Sequence, residues 1–447
     1  MKKLVLAFLL IIPFHIALAS ECSSMLDSLI KKYELNPTKT DILDFKERGQ
    51  VLLDESFNER MKLHGMLSSL DNDCKIKLKD TFLKMRERED YIGAHFYPFP
   101  QISADSIDYK NIPLPIYSPE SYAPYHLSTH KEKFIFKSGD ILITKGVSFT
   151  SATISEVVSH RALFSHIVFI YVEETTQKVF TMESYIGYGV KIFPIEEALR
   201  NENARILVLR SKDSALAKKA ASYMFERIRK KESVGERIPY DYALNFADNS
   251  KLSCEEIAYD AFKTVTDGKM ILPENVSQVE LRDHEFLEQM GLRPGALMIP
   301  ADMEVDSRFD IVLDWTDYQV IRDSIRKDAV MGEVFHWMNE HEYKIHPSMK
   351  SRLAKLIWST RYIPGLWHLM SQISGIPADF QKDVPGVAIS TLESIKGIAK
   401  PILNFVTSAD EEFFHKNGRW MTPLELRASI DAYLKTGPES VIEHFHK

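Results

Sequence analysis

The sequence predicts an α+β fold: a small, mostly antiparallel sheet flanked by helical N- and C-terminal regions. Three observations predict it. Strand-type runs cluster between residues 133 and 211. Apolar residues recur at helical spacing toward both ends of the chain. A stretch holding six prolines, Pro98 to Pro124, sets the first helical region apart from the strands.

The first nineteen residues read as a secretory signal. Lys2 and Lys3 precede an apolar run from Leu4 to Phe14, and Ala17-Leu18-Ala19 supplies small residues for cleavage. The run is short and holds Pro13 and His15, which argues against a membrane-anchor helix. A lipoprotein signal is set aside because Glu21 precedes Cys22, where a small residue is expected. The expected product is an exported protein, periplasmic or secreted. Loss of Lys2 and Lys3 takes the formal charge from −7 to −9. An acidic chain without a basic cluster disfavours nucleic-acid binding. With 45% hydrophobic and 11% aromatic residues, the chain has enough apolar material for real cores.

Residues 20–94 read as helices, with Met25, Leu26, Leu29, Ile30 and Tyr33 on one face and Leu53, Phe57 and Met61 on another. "SLDNDC" (69–74) is a turn between two of them. Residues 95–130 are the proline-rich extended connector, with too many aromatic and aliphatic residues for a free linker and able to wrap over a neighbouring domain; whether it blocks the cleft is left open. From 133 the pattern turns to strands: "KFIFKSGDILIT", "HIVFIYVEE", "KVFTMES", "GVKIF" and "RILVLR". "SALAKKAASYMFERIRKK" and "SCEEIAYDAFKTV" are helices among them. Residues 316–447 are helical again, with Met349, Leu353, Leu356 and Ile357 on one face and Ala388, Leu392, Ile395 and Ala399 on another.

Three cysteines raise a pairing question, since an odd count in an exported chain leaves one thiol over. Cys22 and Cys74 share the N-terminal helical region and are expected to pair, leaving Cys254 free. Ser253 with Glu256 three residues on forms a capping-box pattern. Cys254 therefore falls in a first helical turn, near unpaired N–H groups and the positive end of the helix dipole. The same N–H groups suit an oxyanion. Glu255 and Glu256 oppose a thiolate, so a base is required. His166, opening the strand in "LFSHIVFIYV", is the preferred base, and His160, beside Arg161, the competitor. Glu183, in the next strand across "EETTQK", is placed to orient the imidazole. Tyr240 and Asp241, in "IPYDYALNF", are expected to wall the cleft. Each residue taken alone reads more simply as packing or solvated surface. The combination carries the catalytic reading.

In their order, "SGDILIT", "FSHIVFIYV", "TMES…GYGVKIFPIEEAL", "IPYDYALNF" and "LSCEEIAYDAF" resemble the circularly permuted NlpC-like cysteine hydrolases of the YiiX/YaeF group. "GLRPGALMIPADMEVDSRFDIV" is similar to that group's ending. The resemblance covers about 130–315 and implies a permuted papain-like domain over 131–315. It implies Cys254 as nucleophile, His166 as base, Glu183 as orienting acid and Tyr240 as a substrate-binding residue, with no cofactor. One departure is Glu-Glu after the cysteine, where the group often has Ser-Glu; it makes the site more acidic.

The expected function is cleavage of an amide by Cys254 and His166, with a peptide of cell-wall peptidoglycan as substrate. A thioesterase or acyl hydrolase acting on lipids is the alternative, and a broad apolar groove would favour it. A non-catalytic binding scaffold is the third reading. His336, His341 and His346 lie near one another without HExxH spacing, and no metal is expected. "KSRLAKLIWSTRYIPGLW" reads first as a helix packed on the catalytic domain and second as a peripheral membrane contact. The oligomeric state is left open.

Overall fold

A computed structural model describes residues 22–96, 134–199, 203–279, 281–318, 320–374 and 380–447. The leader over 1–19 and nearly all of the proline-rich connector lie outside the described residues.

Helix α1 covers residues 22–33. It is followed by α2 (Lys39–Gly65) and α3 (Asn72–Phe96), so helix continues two residues into the stretch expected to be connector. Cys22 and Cys74 form a disulfide between α1 and α3, as their shared region suggested. β1 (Ile141–Gly146), α4 (Phe149–Glu156), β2 (His166–Val172), β3 (Val179–Tyr185), β4 (Gly189–Pro194), α5 (Ile195–Leu199) and β5 (Asn203–Ser211) come next. Then follow α6 (Ser214–Ser233), α7 (Cys254–Val265), β6 (Ser277–Val279), α8 (His284–Gln289), β7 (Gly295–Leu297) and β8 (Phe309–Thr316). The chain ends with α9 (Ile321–His341), β9 (Lys344–Ile345), α10 (Met349–Ser359), α11 (Pro364–Ser374), α12 (Gly386–Asn417), α13 (Pro423–Lys435), α14 (Glu439–Ile442) and β10 (Phe445–His446).

The main sheet has six strands in the order β4-β3-β2-β1-β5-β8, and every pairing in it is antiparallel. One sequence expectation is corrected at its start. Residues 134–140, "FIFKSGD", are not strand, because Lys137–Asp140 turn: the Asp140 carboxylate accepts from the Lys137 N–H at 2.8 Å, and Gly139 sits at φ +92°. β1 begins only at Ile141.

One face of the sheet packs on α6 and α7. Phe169 and Met182 pair across β2 and β3, and both are fully buried. Phe169 meets the Phe262 ring of α7 at 5.9 Å, so an aromatic contact locks the strand that begins with His166 to the helix that begins with Cys254. The C-terminal helices belong to the same core: Leu207 of β5, Phe262, Val330 of α9, Ile398 of α12 and Leu426 of α13 lie in one hydrophobic cluster. The boundary predicted at 315/316 therefore does not separate two cores.

Buried ion pairs tie the N-terminal helices to the sheet. Arg60 of α2 and Arg86 of α3 both bind the Asp314 carboxylate on β8, Arg60 also binds Glu89, and Arg86 binds Glu304. Arg205 of β5 pairs with Asp90 of α3. Burial raises the Asp314 carboxyl, but Arg86, Arg60 and Arg205 outweigh it and hold it below the usual carboxylate range. Charges buried this way tolerate no missing partner.

Candidate active site

Ser253 starts α7, and the Glu256 carboxylate accepts from the Ser253 N–H at 2.7 Å. The capping residues thus hold Cys254 in the first turn of a twelve-residue helix. Cys254 is the free cysteine among the described residues, and it is buried. Backbone N–H groups of Ile167 and Glu255 lie near enough to its sulfur to favour the thiolate. The thiol is nonetheless pushed well above the ordinary cysteine range, first by burial and then by the Glu255 carboxylate beside it. Burial also lifts the Glu256 carboxyl, to about 8. A thiol held above its ordinary range keeps its proton at neutral pH.

β2 and β3 form the hairpin across residues 173–178 that their sequence predicted. Extending the Phe169↔Met182 register sets His166 opposite Tyr185 and diagonal to Glu183. The contacts follow. His166 Nε2 is 3.1 Å from Glu183 Oε2, and the imidazole stacks on the Tyr185 ring at 5.1 Å. Glu183 is almost fully buried, and its oxygens also accept from Tyr185 Oη and from Thr181 Oγ1 at 2.6 Å. A carboxylate held by three donors presents a fixed acceptor to the ring. With Nε2 so engaged, Nδ1 is the nitrogen left for the thiol. His160, the competitor, pairs through Nδ1 with Asp80 of α3 at 2.9 Å.

Cys254, His166 and Tyr240 line one cavity of about 270 Å³. His166 and Glu183 are in contact. Among the described residues no hydrogen bond joins the thiol to the imidazole, so those two share a cavity without touching through one. Tyr240 packs edge-on against Tyr242, and its backbone N–H donates to Gln381. Burial, followed by Cys254, raises its hydroxyl well above the usual range, so it stays an O–H donor beside the sulfur. Asp241 is spent on the loop itself, accepting from the Ala243 and Asn245 N–H groups. Ser184 Oγ donates to the Leu252 carbonyl at 2.6 Å, tying β3 to the segment that delivers Cys254.

Sequence reasoning missed the second cavity. It measures about 100 Å³ and is lined mostly by apolar residues, Ile154, Val157, Leu244, Met290, Leu292 and Leu392 among them, with Asp241 and Glu255 also in its wall. It shares Thr150, Ile154, Ile186 and Tyr240 with the thiol cavity, so the two adjoin. Ile186 is presented by the β3–β4 turn, where Gly187 at φ +85° leaves no room for a Cβ against the Phe380 ring. Glu255 also faces this cavity, and its Oε2 is buried without a hydrogen-bond partner. No local signal marks such a cavity, because its walls come from α4, the loop after α8, and α12.

Among the described residues, no group of three or more histidine, cysteine, aspartate or glutamate side chains is arranged to hold a metal. His336 and His341 stand edge-on at 6.0 Å, and His346 stacks on His446.

No family model and no curated protein matches the chain. Among solved structures, it is similar to the crystal structure of metalloprotein yiiX, DUF1105, from Escherichia coli O157:H7. The two share 14% identity over 40% of this chain and 98% of that one, with a TM-score of 0.30. The α+β class rests on the six-stranded antiparallel sheet and its packed helices.

Proposed function

We propose that the chain is an exported cysteine acyl hydrolase with a permuted papain-like arrangement, acting on substrates that carry an apolar acyl group. The observation that carries this reading is the shared wall between the Cys254–His166 cavity and the apolar cavity. An acyl chain in the second cavity sets its carbonyl at the thiol. The Cys22–Cys74 disulfide supports an oxidising compartment, periplasmic or external.

In this reading substrate brings thiol and imidazole together. His166 Nδ1 takes the Cys254 proton as the sulfur attacks the carbonyl carbon, and Glu183 stabilises the imidazolium. The backbone N–H groups at the sulfur and the Tyr240 O–H receive the oxyanion. Collapse breaks the bond to the leaving group, which takes the proton from His166. Water, deprotonated by His166, then releases the acid from the thioester and regenerates the thiol.

The second reading is the same chemistry on an amide of a cell-wall peptide. It is favoured by Glu255, whose unpartnered carboxylate oxygen suits the amine of a peptide better than a hydrocarbon chain.

A series of p-nitrophenyl esters from acetyl to decanoyl tests the leading reading against muropeptides. Rates should rise with chain length, vanish in Cys254→Ala, and lose their length dependence in Leu392→Trp, which fills the apolar cavity. Cleavage of muropeptides but not of esters would select the second reading. Turnover of neither, with partner binding indifferent to Cys254→Ala, would select a scaffold.

A further inference from the structure

One surface is unused by the catalytic reading. α10 places Met349, Leu353 and Leu356 at positions i, i+4 and i+7, on one side of the helix. They are 86%, 53% and 65% exposed. Tyr362 and Ile363, in the turn that follows, and Leu369 of α11 are also exposed. The helix packs on the protein as its sequence suggested, but of the face predicted with Met349, Leu353, Leu356 and Ile357 only Ile357 is covered. The packing is carried by Ile357, at the edge of that face, and by Trp358 opposite it.

These packed residues are firmly held. Ile357 and Trp358 are buried, Trp358 stands edge-on to Trp367 of α11 at 5.3 Å, and its Nε1 donates to the Val384 carbonyl at 2.9 Å. Arg361 lies over the Trp358 ring. The hairpin is therefore fixed, and its apolar ridge faces outward as part of the fold.

The charge around the ridge decides what fits it. From Tyr343 to Ala378 the chain holds no aspartate or glutamate, but it holds Lys344, Lys350, Arg352, Lys355 and Arg361. The chain as a whole carries −7. Arg352 and Lys355 are exposed beside the three apolar residues, and the exposed Lys350 pairs with Glu393 of α12 at 3.8 Å. An apolar ridge edged with long basic side chains, on an otherwise acidic protein, has the chemistry of an interfacial helix. The apolar groups enter the boundary between headgroups and acyl chains, and the lysines and arginines reach the anionic headgroups. An apolar protein surface, such as a second copy of this ridge, would instead bring like charges together.

We propose that the α10–α11 hairpin docks the protein on an anionic lipid surface. The contact is peripheral, as no helix among the described residues is long and apolar enough to cross a membrane.

The test uses the chain from Ser20 onward, which contains every described residue and lacks the apolar leader. Sedimentation is measured with vesicles of phosphatidylcholine alone and with 30% phosphatidylglycerol, at low and high salt. Binding should require phosphatidylglycerol and weaken with salt. It should fall about tenfold or more in Arg352→Glu/Lys355→Glu and also fall in Leu353→Ser/Leu356→Ser, while Leu424→Ser, a change at an exposed leucine on α13, leaves it intact. Thermal melting and thiol-dependent hydrolysis of a soluble short-chain ester should be unchanged in every variant, which keeps this test separate from that of the catalytic reading. Absence of binding to phosphatidylglycerol vesicles, or binding equal in both double variants and the wild type, overturns the proposal. So does a concentration-dependent dimer, without vesicle binding, that disappears in Leu353→Ser/Leu356→Ser.

Discussion

His166 and Glu183 meet at 3.1 Å because antiparallel pairing of β2 and β3 sets them one diagonal step apart on the same face of the sheet. The carboxylate holds the ring by Nε2, and His166 lines the cavity that also contains Cys254. Glu183→Gln keeps the shape and removes the charge that would stabilise an imidazolium. Thiol-dependent turnover is expected to fall roughly 10²–10⁴-fold, mainly in kcat, as measured by steady-state kinetics across pH. An unchanged kcat would remove Glu183 from the site.

Glu255 shapes the thiol in the opposite direction. Its carboxylate adds to burial in raising Cys254, so iodoacetamide should alkylate the free protein slowly at neutral pH. Glu255→Gln removes the adjacent negative charge, and the alkylation profile is expected to shift to lower pH. A profile that stays in place would mean that burial alone sets the thiol.

His95 makes stability fall in acid. Its Nδ1–H donates to the Tyr91 carbonyl at 2.7 Å, and its Nε2 accepts from the Trp420 N–H at 3.3 Å, so the folded ring is neutral. Burial lowers it to about 4, from an unfolded value near 6.5. A lowered folded value means that its contribution is complete above about pH 6.5 and is lost as pH falls through 4. The loss is on the order of 3 kcal/mol. Urea unfolding of the wild type and His95→Gln between pH 7 and 4 measures it as the difference in slope. Asp90, which burial raises to about 6, acts in the opposite direction in both proteins and drops out of the comparison. Parallel slopes would contradict the assignment.

Arg86→Met tests the tie between α3 and the sheet. It strips Glu304 of its partner and leaves Asp314 with Arg60 alone. A loss of about 3–5 kcal/mol in unfolding free energy is expected, read from the urea midpoint. A loss below 1 kcal/mol would mean that these helices are held by apolar contacts instead.

Much of the site was legible along the chain. The β-branched and aromatic run beginning at His166 reads as strand by composition, and the turn residues of 173–178 bring the next strand back beside it. Ser253 and Glu256 mark a helix start by their spacing alone. What stayed hidden was made by distant segments. Ile154, Met290 and Leu392 lie more than a hundred residues apart at each step, yet they line one cavity. Helical spacing also identified the apolar face of α10 without telling which side would be covered. A period reports that residues share a face and says nothing of whether another element lies against it.

The sequence by itself determined five of the six strands of the main sheet, β1 to β5, but not β8, together with the start of the cysteine helix, the Cys22–Cys74 pair and the His166–Glu183 hairpin, since each follows from short-range hydrogen bonding, spacing or a shared helical region. Only the tertiary structure decided that His160 belongs to Asp80, that the thiol adjoins an apolar cavity, and that burial with Glu255 keeps its proton on. Those outcomes depend on desolvation and on contacts between segments far apart in the chain, which are settled only when the elements pack.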